Sequence, residues 1–566
     1  MIVRRPERRP NKRAPGRRKK VFFNKGRQVD KASLEEARVL LGDYFPLKKD
    51  MLIEYLHLFN DKYNGLFARH LKALSDLIKL SMSEVYEVAS FYAHFHIIEE
   101  NITDVPNVTI KVCDSITCAM NDSEKLYHIT KLKYKEYRVE KAPCMGRCNF
   151  APIVEVNHNH ILNADEERVS LALNNKDFSY KNEKFITFDE YFSNGGYQLL
   201  DKVKKGEVSF EKMIEIFSEA GLRGLGGAGF PAYKKWQFVR SYKGPRLMCI
   251  NADEGEPGTF KDRFYLNKDP HRFLEGTLIA SHLVEAEKCY LYIRDEYFGL
   301  IKLIEKEIEI LQNKGIVPIG YLEIRRGAGA YICGEESALI ESIEGKRGLP
   351  RNRPPYVAEV GLFGKPTLVH NVETVYWIRE IFEKGGSWFS SFGRNGRKGL
   401  RTFSVSGFVK NPGIKLTDAG ITIKELIREH CGGMLEGHKF IGYLPGGASG
   451  GILPERLGDI PLDFDTLQEY DCFIGSAAVV ILSDKVDMKE IGLNLMKFFE
   501  DESCGQCTPC RNGTSMAVKL MKEKKWNIEL LSELSKTMNK ASICGLGQAA
   551  PNPLQSIIKH FVNNVT

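Results

Sequence analysis

Four cysteines near the C-terminal end of this 566-residue chain have the spacing of an iron site. Cys504, Cys507 and Cys510 lie in ESCGQCTPCRNG, and Cys544 lies in SICGLG. Three thiolates within seven residues can bind one side of a compact [4Fe–4S] cubane, and a fourth from a distant loop completes its ligands. A structural zinc site is the alternative, although zinc usually takes two C-x-x-C pairs. The spacing therefore favours a cluster that carries electrons.

A second cysteine quartet lies far upstream. Cys113 and Cys118 belong to CDSITC, and Cys144 and Cys148 belong to APCMGRCNFAP. The C-x₄-C and C-x₃-C pairs could occupy two loops of one small domain, each holding one iron of a [2Fe–2S] cluster. Zinc is again the alternative. Together the two quartets give a redox role to eight of the thirteen cysteines.

The other five cysteines lie singly in apolar or Gly-rich surroundings. We predict that they behave as small buried hydrophobic residues: Cys249, Cys289, Cys333, Cys431 and Cys472. Their odd number and the lack of a secretory segment favour a reducing compartment. We therefore expect a cytoplasmic location and no disulfides.

Length and charge limit the class of protein. The chain is long enough for three to five domains, and no apolar run approaches the roughly 18 residues of a membrane span. Contact with a membrane would be indirect, through partner proteins. The net charge of +8 arises in residues 1–20, which contain ten Lys or Arg and one Glu.

This basic tail is predicted to be disordered. It has no apolar segment typical of a signal peptide, and its prolines at 6, 10 and 15 prevent a continuous helix. Without interleaved aromatic residues or a recognisable binding module, nucleic acid is not an expected partner. Docking on an acidic partner subunit is favoured, and a solvated tail without a partner is the alternative.

The spacing of apolar residues along the sequence predicts an α/β multidomain protein. Apolar residues recur every three or four positions in the N-terminal region, which is typical of helices, and β-rich runs follow. The predicted divisions are a disordered tail 1–31, a helical bundle 32–105, a small α/β domain 106–175, a linker 176–205, a larger α/β domain 206–390, a β-rich domain 391–484 and a helical domain 485–566.

Individual elements can be predicted in the later domains. KMIEIFSEAG should form a helix that ends at Gly221, and IKLIEKEIEILQNKG a helix that ends at Gly315. RLMCINAD, KCYLYIRDE and AAVVIL (477–482) are typical of buried strands.

The first glycine-rich loop runs from Gly224 through Gly226 to Gly229 and fits G-x-G-x-x-G. A dinucleotide-binding fingerprint needs a strand before it, whereas EKMIEIFSEAG is helical, so that interpretation fails. The bare backbone still lets a flat ring or a phosphate approach closely. A purely structural glycine turn is the alternative.

A second loop, GAGAYICGEES, places Glu335 where a phosphate loop has lysine, and an acid there would repel a triphosphate. Glu335 and Glu336 are suited instead to ribose hydroxyls or a nicotinamide amide. In NADEGEPGTFKDR, Asp253, Glu254 and Glu256 follow a predicted strand end, where ligands of α/β proteins bind. A solvated acidic loop is the alternative for this segment.

Together these motifs, with GKPTLVHNVET and RGLPRNRPP, resemble the flavoprotein subunit of respiratory NADH dehydrogenase (complex I) and the diaphorase subunits of NAD-linked formate dehydrogenases and NAD-reducing hydrogenases. The resemblance covers about 205–566. Residues 32–175 resemble the small thioredoxin-like [2Fe–2S] subunit, so the chain resembles a fusion of the 24 kDa-type and 51 kDa-type subunits. EVYEVASFYAHF, CDSITCAM and APCMGRC are most similar to the formate dehydrogenase β subunit.

The resemblance implies a fold and an activity. The fold is a helical bundle, a thioredoxin-like [2Fe–2S] domain, a Rossmann-like FMN domain, a β-grasp (soluble ligand-binding-like) domain and a helical [4Fe–4S] domain. The activity is hydride exchange between NAD(H) and FMN, followed by single-electron transfer to the clusters. Implied partners are the iron–sulfur and molybdenum large subunit of a formate dehydrogenase or the peripheral-arm subunits of complex I. A structural bridging subunit without nucleotide turnover is the alternative, and it would need damaged glycine loops.

The resemblance also assigns site residues by motif position. Implied FMN contacts are Gly224, Gly226, Lys235, Asn251, Asp253, Glu254, Tyr331, Gly334, Glu335 and Asn371. Implied NAD(H) contacts are Gly227, Ala228, Phe230, Phe238, Glu256, Glu336 and Tyr356. Glu256, Glu335 and Glu336 are expected to act at the reacting centre by position and field. Arg353 and His370 are implied as further cofactor contacts. Arg353 and Tyr356 replace the Lys and Phe expected in complex I and keep charge and stacking, whereas His370, beside Asn371, departs from the Asn of many relatives.

Overall fold

The computed structural model describes residues 26–99, 102 and 105–562. The predicted basic tail lies almost entirely outside these residues. Within the described part of the chain, no helix combines the length and the apolar character needed to cross a membrane.

The N-terminal region is helical, as the three-to-four periodicity predicts. Ser81 begins the fourth helix with a capping box, since its side chain accepts from the Glu84 N–H while the Glu84 carboxylate accepts from the Ser81 N–H. A short parallel strand pair closes the region. The elements are α1 (Lys31–Leu40), α2 (Leu52–Tyr63), β1 (Leu66–Phe67), α3 (Ala68–Ile78), α4 (Met82–Phe91) and β2 (Ile97–Ile98).

The small α/β domain is built on a four-stranded sheet. Its elements are β3 (Thr109–Cys113), α5 (Ile116–Ala119), α6 (Ser123–Lys133), β4 (Arg138–Ala142), β5 (Val154–Val156), β6 (Asn159–Ile161) and α7 (Glu166–Asn174). The strand order is β4-β3-β5-β6, with β3 parallel to β4 and antiparallel to β5. Ile110, Val112 and Val154 lie in its buried core.

Residues 176–205 differ from the predicted linker. They contain α8 (Phe188–Ser193) and α9 (Gln198–Lys204), and the tyrosines of these helices are buried. Tyr191 donates a hydrogen bond to Glu275 at 2.6 Å, and the Tyr197 hydroxyl lies 2.7 Å from Nδ1 of His271. The aromatic residues of this segment are thereby anchored on the following domain.

The larger α/β domain has an all-parallel sheet of order β10-β7-β8-β9. The predicted strands and helices are confirmed, including the helix end at Gly221, which has a left-handed backbone. The elements are α10 (Phe210–Ala220), α11 (Ala232–Ser241), β7 (Arg246–Ala252), α12 (Lys261–Lys268), α13 (Pro270–Leu283), β8 (Ala286–Ile293), α14 (Phe298–Asn313), β9 (Leu322–Arg326), α15 (Glu336–Ile343), β10 (Thr367–Asn371), α16 (Val372–Tyr376), α17 (Ile378–Lys384) and α18 (Gly386–Ser390).

A mixed five-stranded sheet follows, in the order β12-β11-β15-β13-β14. It comprises β11 (Leu400–Gly407), β12 (Gly413–Asp418), α19 (Ile423–Glu425), β13 (Phe440–Leu444), β14 (Leu453–Pro454) and β15 (Ala478–Ser483). All of β15 is buried, which confirms the strand predicted at AAVVIL.

The C-terminal region is helical and contacts α5 of the small α/β domain through α20. It contains α20 (Met488–Asp501), α21 (Thr508–Met521), α22 (Ile528–Ala541), α23 (Gly545–Ala549) and α24 (Asn552–His560). One apolar core includes Phe59 of α2, Leu339 of α15 and Leu495 of α20. Three regions that are distant in the sequence therefore pack around the loops described next.

Candidate functional site

The carboxyl edge of the parallel sheet brings the acidic segment and the second glycine loop together. Asn251 of β7 is in register with Asn371 of β10. The Asn251 side chain donates to the Gly334 carbonyl at 2.8 Å and accepts from the Asp253 N–H at 3.1 Å. Because parallel strands end at one edge, the residues predicted at the strand ends share this cleft.

The first glycine loop folds back on itself between α10 and α11. The Gly224 N–H donates to the Phe230 carbonyl at 2.8 Å. A Cβ at Gly226 would lie 2.9 Å from the Cβ of Asn371, whereas nothing lies closer than 3.9 Å to the same position at Gly227. The loop thus packs tightly on β10 and keeps bare backbone on its other side, which suits a flat ligand.

Two neighbouring acids have different environments. Glu254 accepts hydrogen bonds from the Asp262 and Arg263 N–H groups at 2.8 and 3.0 Å and from the Tyr297 hydroxyl at 2.8 Å. Burial raises the pKa of Glu254 to about 7. Asp253 has a buried Oδ2 with no hydrogen-bond partner among the described residues, and burial raises its pKa well above the usual range. Glu254 is therefore satisfied by protein groups, while Asp253 has an unused acceptor for a ligand.

Glu256 connects three parts of the chain. Its carboxylate accepts from the Ser449 N–H at 2.7 Å and the Ser449 hydroxyl at 2.9 Å, and from the Tyr331 hydroxyl. Burial raises the pKa of Glu256. The Tyr331 N–H in turn donates to Glu502 at 2.8 Å. The second glycine loop is thereby linked to the five-stranded sheet on one side and to the C-terminal cysteine segment on the other.

Glu335 and Glu336 have distinct roles. The Glu335 carboxylate caps α15, accepting from the Ser337 and Ala338 N–H groups at 3.0 Å, and it also pairs with Arg353. Glu336 pairs with Lys235 at 3.2 Å and Arg353 at 3.3 Å. Burial opposes its charge, yet these two cations hold the pKa of Glu336 below its usual value.

Exposed aromatic rings lie beside this polar cleft. Phe230, Phe238 and Tyr356 are 40%, 52% and 59% exposed, and the Phe230 and Phe238 ring centroids lie 6.2 Å apart. Phe230 and Phe238, which lie close together, provide exposed stacking surface for a planar group.

His370 faces away from this cleft. Its Nε2 accepts from the Trp236 indole N–H at 2.6 Å, in the layer between α11 and β10. Burial, reinforced by Lys235, lowers the pKa of His370 to about 3. The imidazole is therefore neutral and is engaged with the core.

Two residues near the cleft were missed by sequence reasoning. Lys261 is 1% exposed and pairs with Asp262 at 2.8 Å and Glu373 at 3.0 Å. Glu502 is the acceptor for Tyr331 described above, and burial raises its pKa to about 7. Two features of the sequence could have indicated these residues. Lys261 belongs to the charged KDR run at the end of the acidic segment, and Glu502 is an acid two positions before Cys504.

The C-terminal quartet converges between α20 and α23. Cys510 is buried, and Cys504, Cys507 and Cys544 are half-buried. Burial, with smaller contributions from the three neighbouring thiols, raises the pKa of Cys510 to about 11. The Gly547 and Leu546 N–H groups face the Cys544 sulfur. Four converging thiols with backbone donors fit a cubane, whose sulfurs accept such hydrogen bonds.

The upstream quartet is wholly buried. The sulfurs of Cys144 and Cys148 lie 3.2 Å apart, and the hydrogen bond with the Cys148 thiol lowers the pKa of Cys144 to about 6. Phe260 packs against both cysteines, and the Gly258 N–H faces Cys144. This quartet fits a two-iron cluster and adjoins the acidic segment. The five remaining cysteines are buried, as predicted.

Three families match successive parts of the chain. The thioredoxin-like [2Fe–2S] ferredoxin family matches residues 40–177, and the Nuo51 FMN-binding domain matches residues 217–380. The NADH-ubiquinone oxidoreductase-F iron–sulfur binding region matches residues 490–566. Each match contains the cysteine quartet or the glycine loops described above.

Curated relatives match about three fifths of the chain, and a solved structure matches most of it. The mitochondrial NADH dehydrogenase (ubiquinone) flavoprotein 1 of Dictyostelium discoideum is 42% identical over 384 residues, covering 64% of this chain and 80% of that protein. The mitochondrial NADH-ubiquinone oxidoreductase 51 kDa subunit of Neurospora crassa is 42% identical over 364 residues, covering 60% of this chain and 74% of that protein. A chain of an air-oxidised NAD⁺-reducing [NiFe]-hydrogenase superposes with a TM-score of 0.80 at 30% identity, covering 91% of this chain and 93% of that one. The chain thus belongs to the family of the 51 kDa flavoproteins of NADH-ubiquinone oxidoreductase, here fused to a thioredoxin-like [2Fe–2S] ferredoxin domain.

Proposed function

We propose that this chain is the NADH-binding diaphorase subunit of a larger complex. It exchanges hydride between NAD(H) and FMN and passes single electrons to its [4Fe–4S] and [2Fe–2S] clusters. The observation that carries the proposal is the cleft at the carboxyl edge of the parallel sheet. This cleft combines bare glycine backbone with an Asp253 oxygen that has no hydrogen-bond partner among the described residues. A structural subunit without turnover would have no need of this cleft.

FMN, when bound, supplies the conversion between two-electron and one-electron transfer. The residues we assign to it lie around the cleft: Gly224, Gly226, Lys235, Asn251, Asp253, Tyr331, Gly334, Glu335 and Asn371. Asp253 would accept a hydrogen bond from the flavin group, and the glycines would admit the ring. Glu254 would not contact the flavin directly, because its carboxylate accepts hydrogen bonds from the first backbone N–H groups of α12.

For NAD(H) we assign the outer residues: Gly227, Ala228, Phe230, Phe238, Glu256, Glu336, Arg353 and Tyr356. The exposed rings would stack on the bases. Arg353 and Lys235 hold Glu336 ionised, so that it can accept from ribose hydroxyls. Glu256, Glu335 and Glu336 act by orienting groups and by their field, since hydride transfer needs no protein acid or base.

The next question is which larger complex contains this chain. We infer a formate dehydrogenase from EVYEVASFYAHF and the neighbouring cysteine motifs, with a molybdenum-containing large subunit as partner and a cytoplasmic location. The peripheral arms of complex I and of an NAD-reducing hydrogenase are the other candidates. Affinity purification of the tagged chain from its native cells tests this. A molybdenum-containing partner supports formate, a membrane assembly indicates quinone and a nickel-containing partner indicates hydrogen.

NADH binding is tested by a matched pair of variants. Base stacking is worth about 1–3 kcal/mol per ring, so Phe230→Ala should raise the KM for NADH by about fivefold or more in a ferricyanide reduction assay. Phe192→Ala, also an exposed ring at 54%, should behave as wild type. Equal KM values in all three proteins would remove Phe230 from the NADH site.

A further inference from the structure

A second group of ligating side chains lies apart from both cysteine quartets. His57 of α2, His94 after α4 and Asp295 after β8 each present one ligand atom, and these atoms lie within 4.8 Å of one another. The three side chains come from separate segments and meet where the N-terminal helices pack on the parallel sheet. All three are largely shielded from solvent, with exposures of 3% for His57 and side-chain exposures of 10% for His94 and 8% for Asp295.

The tautomer of His57 is fixed by its surroundings. Its Nε2 lies 3.0 Å from the Gly327 carbonyl oxygen, and a carbonyl can only accept, so Nε2 carries the proton. Nδ1 therefore has a free lone pair. That nitrogen is buried and has no hydrogen-bond partner among the described residues. A buried acceptor without a partner costs free energy unless a ligand uses it.

The other two ligands form a close pair. Nδ1 of His94 lies 2.6 Å from Oδ2 of Asp295, with a proton between them. Nε2 of His94 faces the amide of Asn60, with Nδ2 at 3.3 Å, and the Asn60 oxygen is itself buried without a partner among the described residues.

The local charge favours a cation. The second oxygen of Asp295 pairs with Arg326, which also pairs with Asp61 at 2.6 Å. Two carboxylates share one guanidinium, which leaves a net negative charge beside two neutral imidazoles. Lys111 also lies within range of Asp295, and it pairs with Glu155 at 3.7 Å. Together with Arg326 this gives two cations against three carboxylates.

We propose that His57, His94 and Asp295 form a binding site for a divalent transition-metal ion of the zinc class. Two imidazole nitrogens and one carboxylate are a common zinc set, with water as the fourth ligand. The ion replaces the proton between His94 and Asp295, and that proton moves to Nε2 of His94, where the Asn60 oxygen can accept it after an amide rotation. Tetrahedral zinc separates its ligand atoms by roughly 3.3 Å, so the 2.6 Å pair opens slightly.

The role of such an ion would be structural. It would join α2 and the segment after α4 to the edge of the sheet from which the second glycine loop emerges. The backbone already makes this connection weakly, since the Ala93 and His94 N–H groups donate to the Gly329 and Ala328 carbonyls at 3.2 and 3.0 Å. The ion would hold the N-terminal helices against the nucleotide-binding loop.

The test measures zinc in the holoprotein with both iron–sulfur clusters intact. Protein is incubated with Zn²⁺, desalted and analysed for zinc and iron, and the zinc K-edge absorption is recorded. Wild type should keep about one zinc per chain with only nitrogen and oxygen neighbours. His57→Gln and His94→Gln should retain at least tenfold less zinc with unchanged iron and flavin. His128→Gln, which alters a histidine 64% exposed, should match wild type.

Two results would overturn the proposal. One is equal zinc in wild type and His57→Gln. The other is zinc with sulfur neighbours at about 2.3 Å, which would place it in the cysteine quartets. The iron and flavin contents of each variant report whether it has folded, so a folding defect cannot be mistaken for loss of the site.

Discussion

Glu54 shows how one buried acid sets a pH dependence. It lies on α2, 3.3 Å from Arg325 of β9. Burial raises its pKa to about 7, against roughly 4.3 in an unfolded chain. Because the unfolded state ionises first as pH rises, Glu54 supports the fold fully below its ordinary pKa, and this support is lost between about pH 4 and pH 7.

The variant Glu54→Gln should remove this dependence. Relative to the variant, wild type should lose about 2 kcal/mol of stability between about pH 5.5 and 7.5. Thermal melts of both proteins across this range provide the measurement. If the stability difference between wild type and Glu54→Gln is the same at every pH, Glu54 has an ordinary pKa.

His370 gives a second prediction about a single residue. Because its Nε2 accepts from Trp236 in the core, His370→Leu should cost about 1–3 kcal/mol through an unsatisfied indole N–H and leave the flavin content unchanged. Trp236→Phe combined with His370→Leu should cost less than the sum of the single changes. A loss of flavin in the stable His370→Leu protein would instead place His370 in the flavin site.

At the residue scale, sequence reasoning located the cysteines and the acidic segment but could not separate their environments. Asp253 and Glu254 are adjacent and chemically alike. The structure shows that Glu254 accepts hydrogen bonds from two backbone N–H groups at the start of α12, whereas one oxygen of Asp253 accepts none from the part of the chain that the structure describes. The Lys261 pairing with Glu373 is likewise invisible in sequence, because the partners are more than a hundred positions apart.

At the element scale, the first glycine loop separates protein packing from ligand binding. A Cβ at Gly226 would lie 2.9 Å from Asn371, whereas at Gly224 the nearest atom is 3.5 Å away. Gly226→Ala should therefore lower both thermal stability and flavin content, since the loop must shift. Gly224→Ala should keep the stability of the flavin-free protein, because the new methyl group would touch the protein only at ordinary contact distance. It should reduce flavin affinity about tenfold or more, because Gly224 is one of the glycines that we assign to the flavin.

Flavin titration into the flavin-free proteins, followed by thermal melts, measures both effects. Gly42→Ala is a suitable control, because nothing lies within 4 Å of its added Cβ. Unchanged flavin affinity in Gly224→Ala would mean that no ligand approaches this backbone.

Local sequence was sufficient to predict several regular elements. The buried strand β15 follows from an apolar run, and the helix that ends at Gly221 follows from apolar periodicity and a glycine stop. Residues 176–205 were less predictable, because the segment is rich in polar residues. Tyr191 and Tyr197 anchor it, and their partners lie on α13, far away in the sequence.

At the scale of the whole molecule, the two cysteine quartets are both packed on the nucleotide-binding domain. The upstream quartet adjoins the acidic segment through Phe260, and its domain also contacts α20, where Asn494 donates to the Asp114 carbonyl at 2.8 Å. The C-terminal quartet follows Glu502, which accepts from Tyr331 in the second glycine loop. Sequence motifs predict the cysteine quartets and the glycine loops separately. The apolar core that several domains share explains how one chain keeps these sites close together.

The central claim is that electrons from NADH reach iron bound by this same chain. The direct measurement is anaerobic titration of the purified holoprotein with NADH, followed by visible absorption and electron paramagnetic resonance. We predict loss of the oxidised-flavin band and appearance of reduced-cluster signals in wild type. In Cys544→Ser the flavin band should still be lost, but the signal of the reduced [4Fe–4S] cluster should be absent. Bound flavin that stays oxidised with excess NADH, or bleached flavin beside clusters that stay oxidised in wild type, would contradict this claim.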